Sequence, residues 1–154
     1  MSAKKPHRLA TALHKDSSLR RHLKTGAGAI SPIDIKLIAE SERSKIGDSL
    51  DLDTAAQEEF PEANRWDYIM SLPTLSQIIG IEPHTARDSE ISVVIAKKKH
   101  ARQYLRSHFQ DGYHVRKWLW VSHGTVGFSR MDRARRLLDQ NGIEFVGRHL
   151  HKFE

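Results

Sequence analysis

Apolar and polar positions change period several times along the chain, and each change marks an element. Trp66, Tyr68 and Met70 alternate with Asp67, Ile69 and Ser71, the two-residue period of a strand. Pro73 and Thr74 supply a turn. Residues 75–86 follow, centred on Ile78-Ile79-Gly80-Ile81-Glu82, a β-branched run expected of a strand buried on both faces. These two strands are close enough in sequence to pair as a hairpin. The period then lengthens. Over residues 88–109, Ile91, Val94, Ile95, Ala101, Leu105 and Phe109 fall on one helical stripe, with Asp88 or Ser89 as the cap and Glu90 in the first turn. Residues 117–122, with Trp118, Leu119, Trp120 and Val121, read as a further strand that turns at His123-Gly124. A basic helix over 130–141 ends at Asn141-Gly142, and residues 144–150 form a last strand.

Upstream of the hairpin, Ser31 caps a helix whose first position is Pro32 and whose first turn holds Asp34. Ile33, Leu37 and Ile38 mark its inner face, and Gly47 ends it. Residues 48–64 are acidic and mixed, with a short helix capped by Asp53 or Thr54 that stops before Pro61. The order helix–strand–strand–helix–strand–helix–strand predicts an α/β (α+β) fold, a mixed sheet of about four strands flanked by helices.

Composition changes this picture mainly at the N-terminus. Of the 154 residues, the first 29 hold Lys4, Lys5, Arg8, Lys15, Arg20, Arg21 and Lys24 against Asp16 alone, so this block carries the whole net charge of +6. Leu9, Leu13, Leu19 and Leu23 point to one or two short helices, and Gly26-Ala27-Gly28-Ala29 to a hinge. The expected organisation is a basic arm, 1–29, and an α/β domain, 30–154. Two readings of the arm stay open: a solvated tail, or an arm that docks on phosphates or folds on a protein partner. Cysteine is absent, which excludes a disulfide scaffold, a thiol nucleophile and Cys-ligated metal sites. No apolar run is long enough to span a bilayer and the start has no secretory h-region, so no membrane partner and a cytoplasmic location are expected.

The candidate chemistry lies on the hairpin. Ile78, Gly80, Glu82 and His84 share one face of the second strand, and Ile79 and Ile81 the other. A carboxylate beside an apolar strand is costly unless it is paired or binds a cation. Gly80 leaves room for something to approach the backbone. A register placing Asp67 beside Glu82 would bring two carboxylates together, a donor pair suited to Mg²⁺ or Mn²⁺. On the long helix, Lys98 falls at the centre of the apolar stripe and Arg102 one turn on. An inward lysine over an acidic strand can stabilise an oxyanion or orient water; the alternative is that it snorkels to solvent.

These residues resemble the PD-(D/E)xK phosphodiesterase superfamily over residues 33–150. Its core runs helix, strand, strand, strand, helix, strand, with an Asp on the second core strand and an acid-x-Lys on the third. Asp67 matches the Asp, and Glu82-Pro83-His84 matches the acid-x-Lys in position, with His84 standing where the lysine is expected. Some members supply the lysine from the following helix, where Lys98 is available, and an acid from the first helix, where Glu40 or Glu42 is available. The resemblance implies a restriction-endonuclease-like fold and a Mg²⁺- or Mn²⁺-dependent nuclease. In it Asp67 and Glu82 hold the metal, and Lys98 or His84 assists the attacking water. Arg102, Lys4, Lys5, Arg8, Arg20, Arg21, Arg133 and Arg136 would contact nucleic acid, DNA before RNA, and cutting both strands would suit a homodimer. The blocks NRWDYIM and GIEPHTA also resemble a family of small bacterial proteins.

Other readings compete. An inactive nuclease-like chain would serve as a nucleic-acid-binding or protein-interaction subunit, with Glu82 paired to Arg102 or Lys98. His149-x-His151, joined by His84 or His123, would suit zinc. Trp66, Trp118 and Trp120 would stack on bases or, more ordinarily, fill the core. There is no nucleophile-elbow, Walker or dinucleotide-binding motif.

Overall fold

The computed structural model describes residues 7–154. Six strands form one sheet in sequence order: β1 (Lys24–Thr25), β2 (Asp48–Asp51), β3 (Tyr68–Leu72), β4 (Gln77–His84), β5 (Lys117–Ser122) and β6 (Ile143–Phe145). Strands β1 to β4 are antiparallel to their neighbours, and β4, β5 and β6 run parallel. The helices are α1 (Leu9–Ala12), α2 (Glu40–Arg43), α3 (Leu52–Ala56), α4 (Ile91–Arg106) and α5 (Met131–Gln140). The α/β class with a mixed sheet is as expected, but the sheet has six strands rather than four.

The two added strands sit at the edge that the sequence disguises. β2 reads Asp-Ser-Leu-Asp, without apolar alternation, yet its first three residues are buried. Polar partners make this tolerable. The Asp48 carboxylate accepts from the Leu9 amide at 2.8 Å, the Ala10 amide at 3.0 Å and the Ser71 hydroxyl at 2.5 Å. The helix expected up to Gly47 is broken in two. Ser31 does accept from the Asp34 amide, opening a 3₁₀ turn at Asp34–Leu37. Ile38 is then extended and bridges Leu150, so helix resumes only at α2.

The hairpin β3–β4 closes through a 3₁₀ turn at Pro73–Leu75 and Ser76, which adopts a left-handed backbone with φ 52°. The crossover from β4 to the parallel β5 is made by α4, the longest helix, and that from β5 to β6 by α5. One face of the sheet packs Trp66, Ile69, Ile78, Trp118 and Trp120 against α4 and its neighbours. The other face packs Met70, Ile79, Ile81, Leu119 and Val121 against Ile30, Ile38, Leu150 and Phe153.

Residues 7–29 of the expected arm pack onto this body. Leu9, Leu13 and Leu19 are buried in the same core as Trp66, each contributing roughly 1.5–3 kcal/mol of apolar burial. The expected hinge is held by hydrogen bonds from Gly26 to Gly47 and from Gly28 to Thr25. Among the described residues no helix is long and apolar enough to cross a membrane.

Candidate active site

Asp67 and Glu82 meet because of the hairpin register. Tyr68 pairs with Ile81, so the next residues outward face each other. The Asp67 amide donates to Glu82 Oε1 at 2.9 Å, while the Asp67 carbonyl accepts from Leu52, the first residue of α3, at 2.9 Å. Glu82 itself is fully enclosed, at 0 % exposure, on the face of β4 that α4 covers.

The third member comes from α4. Lys97 Nζ donates to Glu82 Oε2 at 2.6 Å and lies 3.9 Å from Asp67 Oδ1. Lys97 follows Val94 by three residues, precedes Ala101 by four and precedes Tyr104 by seven, and all three are buried. Lys97 and Lys98 flank the packed face of α4 on opposite sides, and it is the Lys97 side that meets the hairpin, which helical periodicity alone does not fix. Lys98 turns the other way and donates to the Asn141 carbonyl at 2.5 Å. It does not join the carboxylates.

His84 completes the cluster from the strand. Its Nδ1 lies 3.2 Å from Glu82 Oε2 and its Nε2 2.9 Å from Glu90 Oε1. The hydrogen bond to Glu82, and secondarily that to Glu90, raises the imidazole pKa against the opposing effect of burial. Asp67 is shifted furthest. Burial, then the neighbouring Glu82 charge, pushes its carboxyl up to about 8, and Lys97 offsets only part of this. Asp53 and Asp34 add to the negative field around it, although Asp53 is paired with Arg65 at 2.9 Å and Asp34 with His123 at 3.0 Å. The cluster reaches the surface through Asp67, His84 and Lys97, whose side chains are 26 %, 18 % and 15 % exposed.

Several expected participants are elsewhere. Glu40 caps no part of the cluster, and Glu42 is buried on the other side of the sheet, bound to the Phe153 amide at 2.9 Å and Lys45 at 2.8 Å. Gly80 does not open the backbone to a ligand: a side chain there would meet Trp66 Nε1 at 2.9 Å and Trp118 at 3.0 Å, so its smallness serves the tryptophan packing. Trp66, Trp118 and Trp120 are core residues. His84 and His123 are engaged with acids, and the pair His149 and His151 stands apart from them, so the four do not assemble a zinc site. Among the described residues, no group of three or more His, Asp or Glu forms a ready-made metal cage.

The expected phosphate contacts divide. Lys4 and Lys5 lie outside the described residues. Arg8 is tied to the Gly47 carbonyl at 3.1 Å, and Arg21 to Glu58 at 3.2 Å. Arg20 binds the carbonyls of His14, Ala10 and Leu13 at 2.8, 2.9 and 2.7 Å, which makes it a clamp on the end of α1. Arg102, Arg133 and Arg136 are exposed on α4 and α5. Comparison with protein-family models, with curated proteins and with solved structures gave no match.

Proposed function

We propose that the chain is a metal-dependent phosphodiester hydrolase of nucleic acid, of the PD-(D/E)xK type. The observation that carries this reading is the convergence of Asp67, Glu82 and Lys97 from β3, β4 and α4. It supplies an acid, a second acid and a lysine in one cluster, although the lysine belongs to the helix and His84 occupies its usual strand position.

Asp67 and Glu82 would hold Mg²⁺ or Mn²⁺. The donor set suits such a cation: two carboxylates offer hard oxygens, and burial and then the neighbouring Glu82 charge push the Asp67 carboxyl up to about 8, a penalty that a bound cation would relieve. A cation so placed polarises a phosphoryl oxygen and acidifies bound water. The remaining tasks fall to the chain. Lys97 offers an ammonium to the charge that develops on the phosphate. His84, held between Glu82 and Glu90, fixes the orientation of Glu82 and carries a proton at the mouth of the cluster.

A second reading rests on the enclosure of Glu82, whose two oxygens are already satisfied by the Asp67 amide, Lys97 and His84. In that reading the cluster is a structural ion pair, and the chain is an inactive nuclease-like subunit that binds nucleic acid or protein. Cleavage of labelled DNA and RNA with Mg²⁺ and Mn²⁺ separates the two, with DNA the expected substrate. The isosteric Glu82→Gln and the more exposed Asp67→Asn are compared with wild type, their folding checked by circular dichroism. Metal-dependent cutting lost in both folded variants supports hydrolysis. No cutting by wild type, or cutting unchanged by the variants, rejects it in favour of the binding subunit.

A further inference from the structure

A second polar centre lies at the opposite end of the parallel strands. Glu82 stands near the end of β4, in register with Trp120, whereas a cavity of about 560 Å³ opens beside Arg116 and Trp118, where β5 begins. Lys98, Arg102 and Arg106 line it from α4, and Tyr113 from the segment that leads to β5.

Charge is the first argument. Four cationic side chains line this cavity against one carboxylate, Asp111. Among the described residues, the guanidinium groups of Arg102, Arg106 and Arg116 make no ion pair or side-chain hydrogen bond, in contrast to Arg8, Arg20 and Arg21. Lys98 has one acceptor, the Asn141 carbonyl, and no acid. Gly142, at φ 70°, leaves room for that ammonium beside the backbone, since a Cβ there would lie 2.6 Å from Lys98 Nζ. Burial, and after it the charges of Arg102 and Lys99, lowers the Lys98 pKa.

Shape and surface are the second argument. The volume falls in the range of small-ligand sites. Its apolar wall includes the half-buried ring of Tyr113, with the edge of the otherwise buried Trp118 at its floor, next to planar guanidinium groups that suit bidentate contact with phosphate. A purely inorganic anion would leave the aromatic wall uncovered.

We propose that this cavity binds a phosphorylated nucleotide unit, with its phosphate among Lys98, Arg102 and Arg116 and its base against Tyr113. The unit is either a free nucleotide or the phosphorylated end of a strand. This site is separate from Asp67 and Glu82 and does not depend on their being catalytic.

Isothermal titration calorimetry at low salt tests it with adenosine monophosphate and with an oligodeoxythymidine carrying or lacking a terminal phosphate. Comparable affinity for the mononucleotide and the phosphorylated oligomer identifies a free-nucleotide site. A phosphorylated oligomer at least tenfold tighter than the other two identifies a strand-end site. In either case Arg102→Ala with Arg116→Ala, both exposed positions, weakens binding by roughly tenfold to a hundredfold, the worth of a charged hydrogen bond or two. Asp111→Asn strengthens it, and Lys97→Met leaves it unchanged. The proposal is overturned if neither probe binds at millimolar concentration. Equal binding of the two oligomers without competition from the mononucleotide, or indifference of binding to the arginine variants, overturns it as well.

Discussion

Asp48 and Glu82 are both acids buried in the sheet, and their surroundings differ in kind. Asp48 on β2 is satisfied by two backbone amides and a hydroxyl, none of which titrates in the neutral range. Glu82 on β4 is met by an ammonium, an imidazole and the amide of a residue that itself carries a half-buried carboxylate. Burial alone therefore does not distinguish an acid that staples α1 to the sheet from one held by titratable partners. The partners do: fixed neutral donors hold a structure together, whereas movable charged ones can exchange the acid for a cation or a phosphate.

The sharpest test of this contrast uses two adjacent lysines. Lys97→Met should lower cleavage per folded molecule by about a hundredfold to a thousandfold, the usual cost of losing a donor to developing charge. Lys98→Met should leave it within about twofold, since its ammonium points to Asn141. Equal losses in the two variants would erase the distinction. Asp48→Ala acts on the other side of the comparison. It strands two amides and a hydroxyl and should cost about 3 kcal/mol in urea unfolding, with cleavage by the folded protein unchanged.

A smaller effect appears in the pH dependence of stability. The Asp67 carboxyl is raised from an ordinary value of 3.8 to about 8 in the fold. A raised pKa means that the folded state binds the proton more tightly, so this contribution is complete below pH 3.8 and is lost as pH climbs through about 8. In metal-free thermal unfolding, Asp67→Asn should therefore gain on wild type steadily across that window. A gap between the two that is flat with pH would show that Asp67 keeps an ordinary pKa in the fold.

Much of the hairpin was legible in the alternation at Trp66, Tyr68 and Met70 and the apolar run after Leu75, which mark two strands close enough to pair. The offset that sets Asp67 beside Glu82 was one register among those the pattern allows, and the pairing of Tyr68 with Ile81 decides it. The strand Lys117–Ser122 was also plain from its aromatic and aliphatic run. What escaped was decided by contacts distant in sequence. β2 is a strand because Leu9, Ala10 and Ser71 satisfy its acid, and none of these is near it in the chain. The choice between Lys97 and Lys98 is set by which side of α4 faces the hairpin: Lys97 reaches Glu82 on β4, whereas Lys98 reaches the Asn141 carbonyl beyond α5. The first 29 residues read as an extension by charge, yet Leu9, Leu13 and Leu19 lie in the core and Arg8 and Arg20 bind backbone carbonyls.

The contact between His84 and Trp120 gives the molecule an internal optical reporter. The two rings lie 6.1 Å apart, and the indole Nε1 donates to the His84 carbonyl at 3.0 Å. Trp120 is fully buried, so its emission is blue-shifted and screened from solvent quenchers. A protonated imidazole quenches a neighbouring indole more strongly than a neutral one. Emission from Trp120 should therefore brighten as pH rises through the elevated His84 titration, and His84→Gln should remove that step. A cation that draws Glu82 away from His84 would shift the midpoint downward, so unlabelled protein in a fluorimeter can register occupancy of the cluster before any substrate is known.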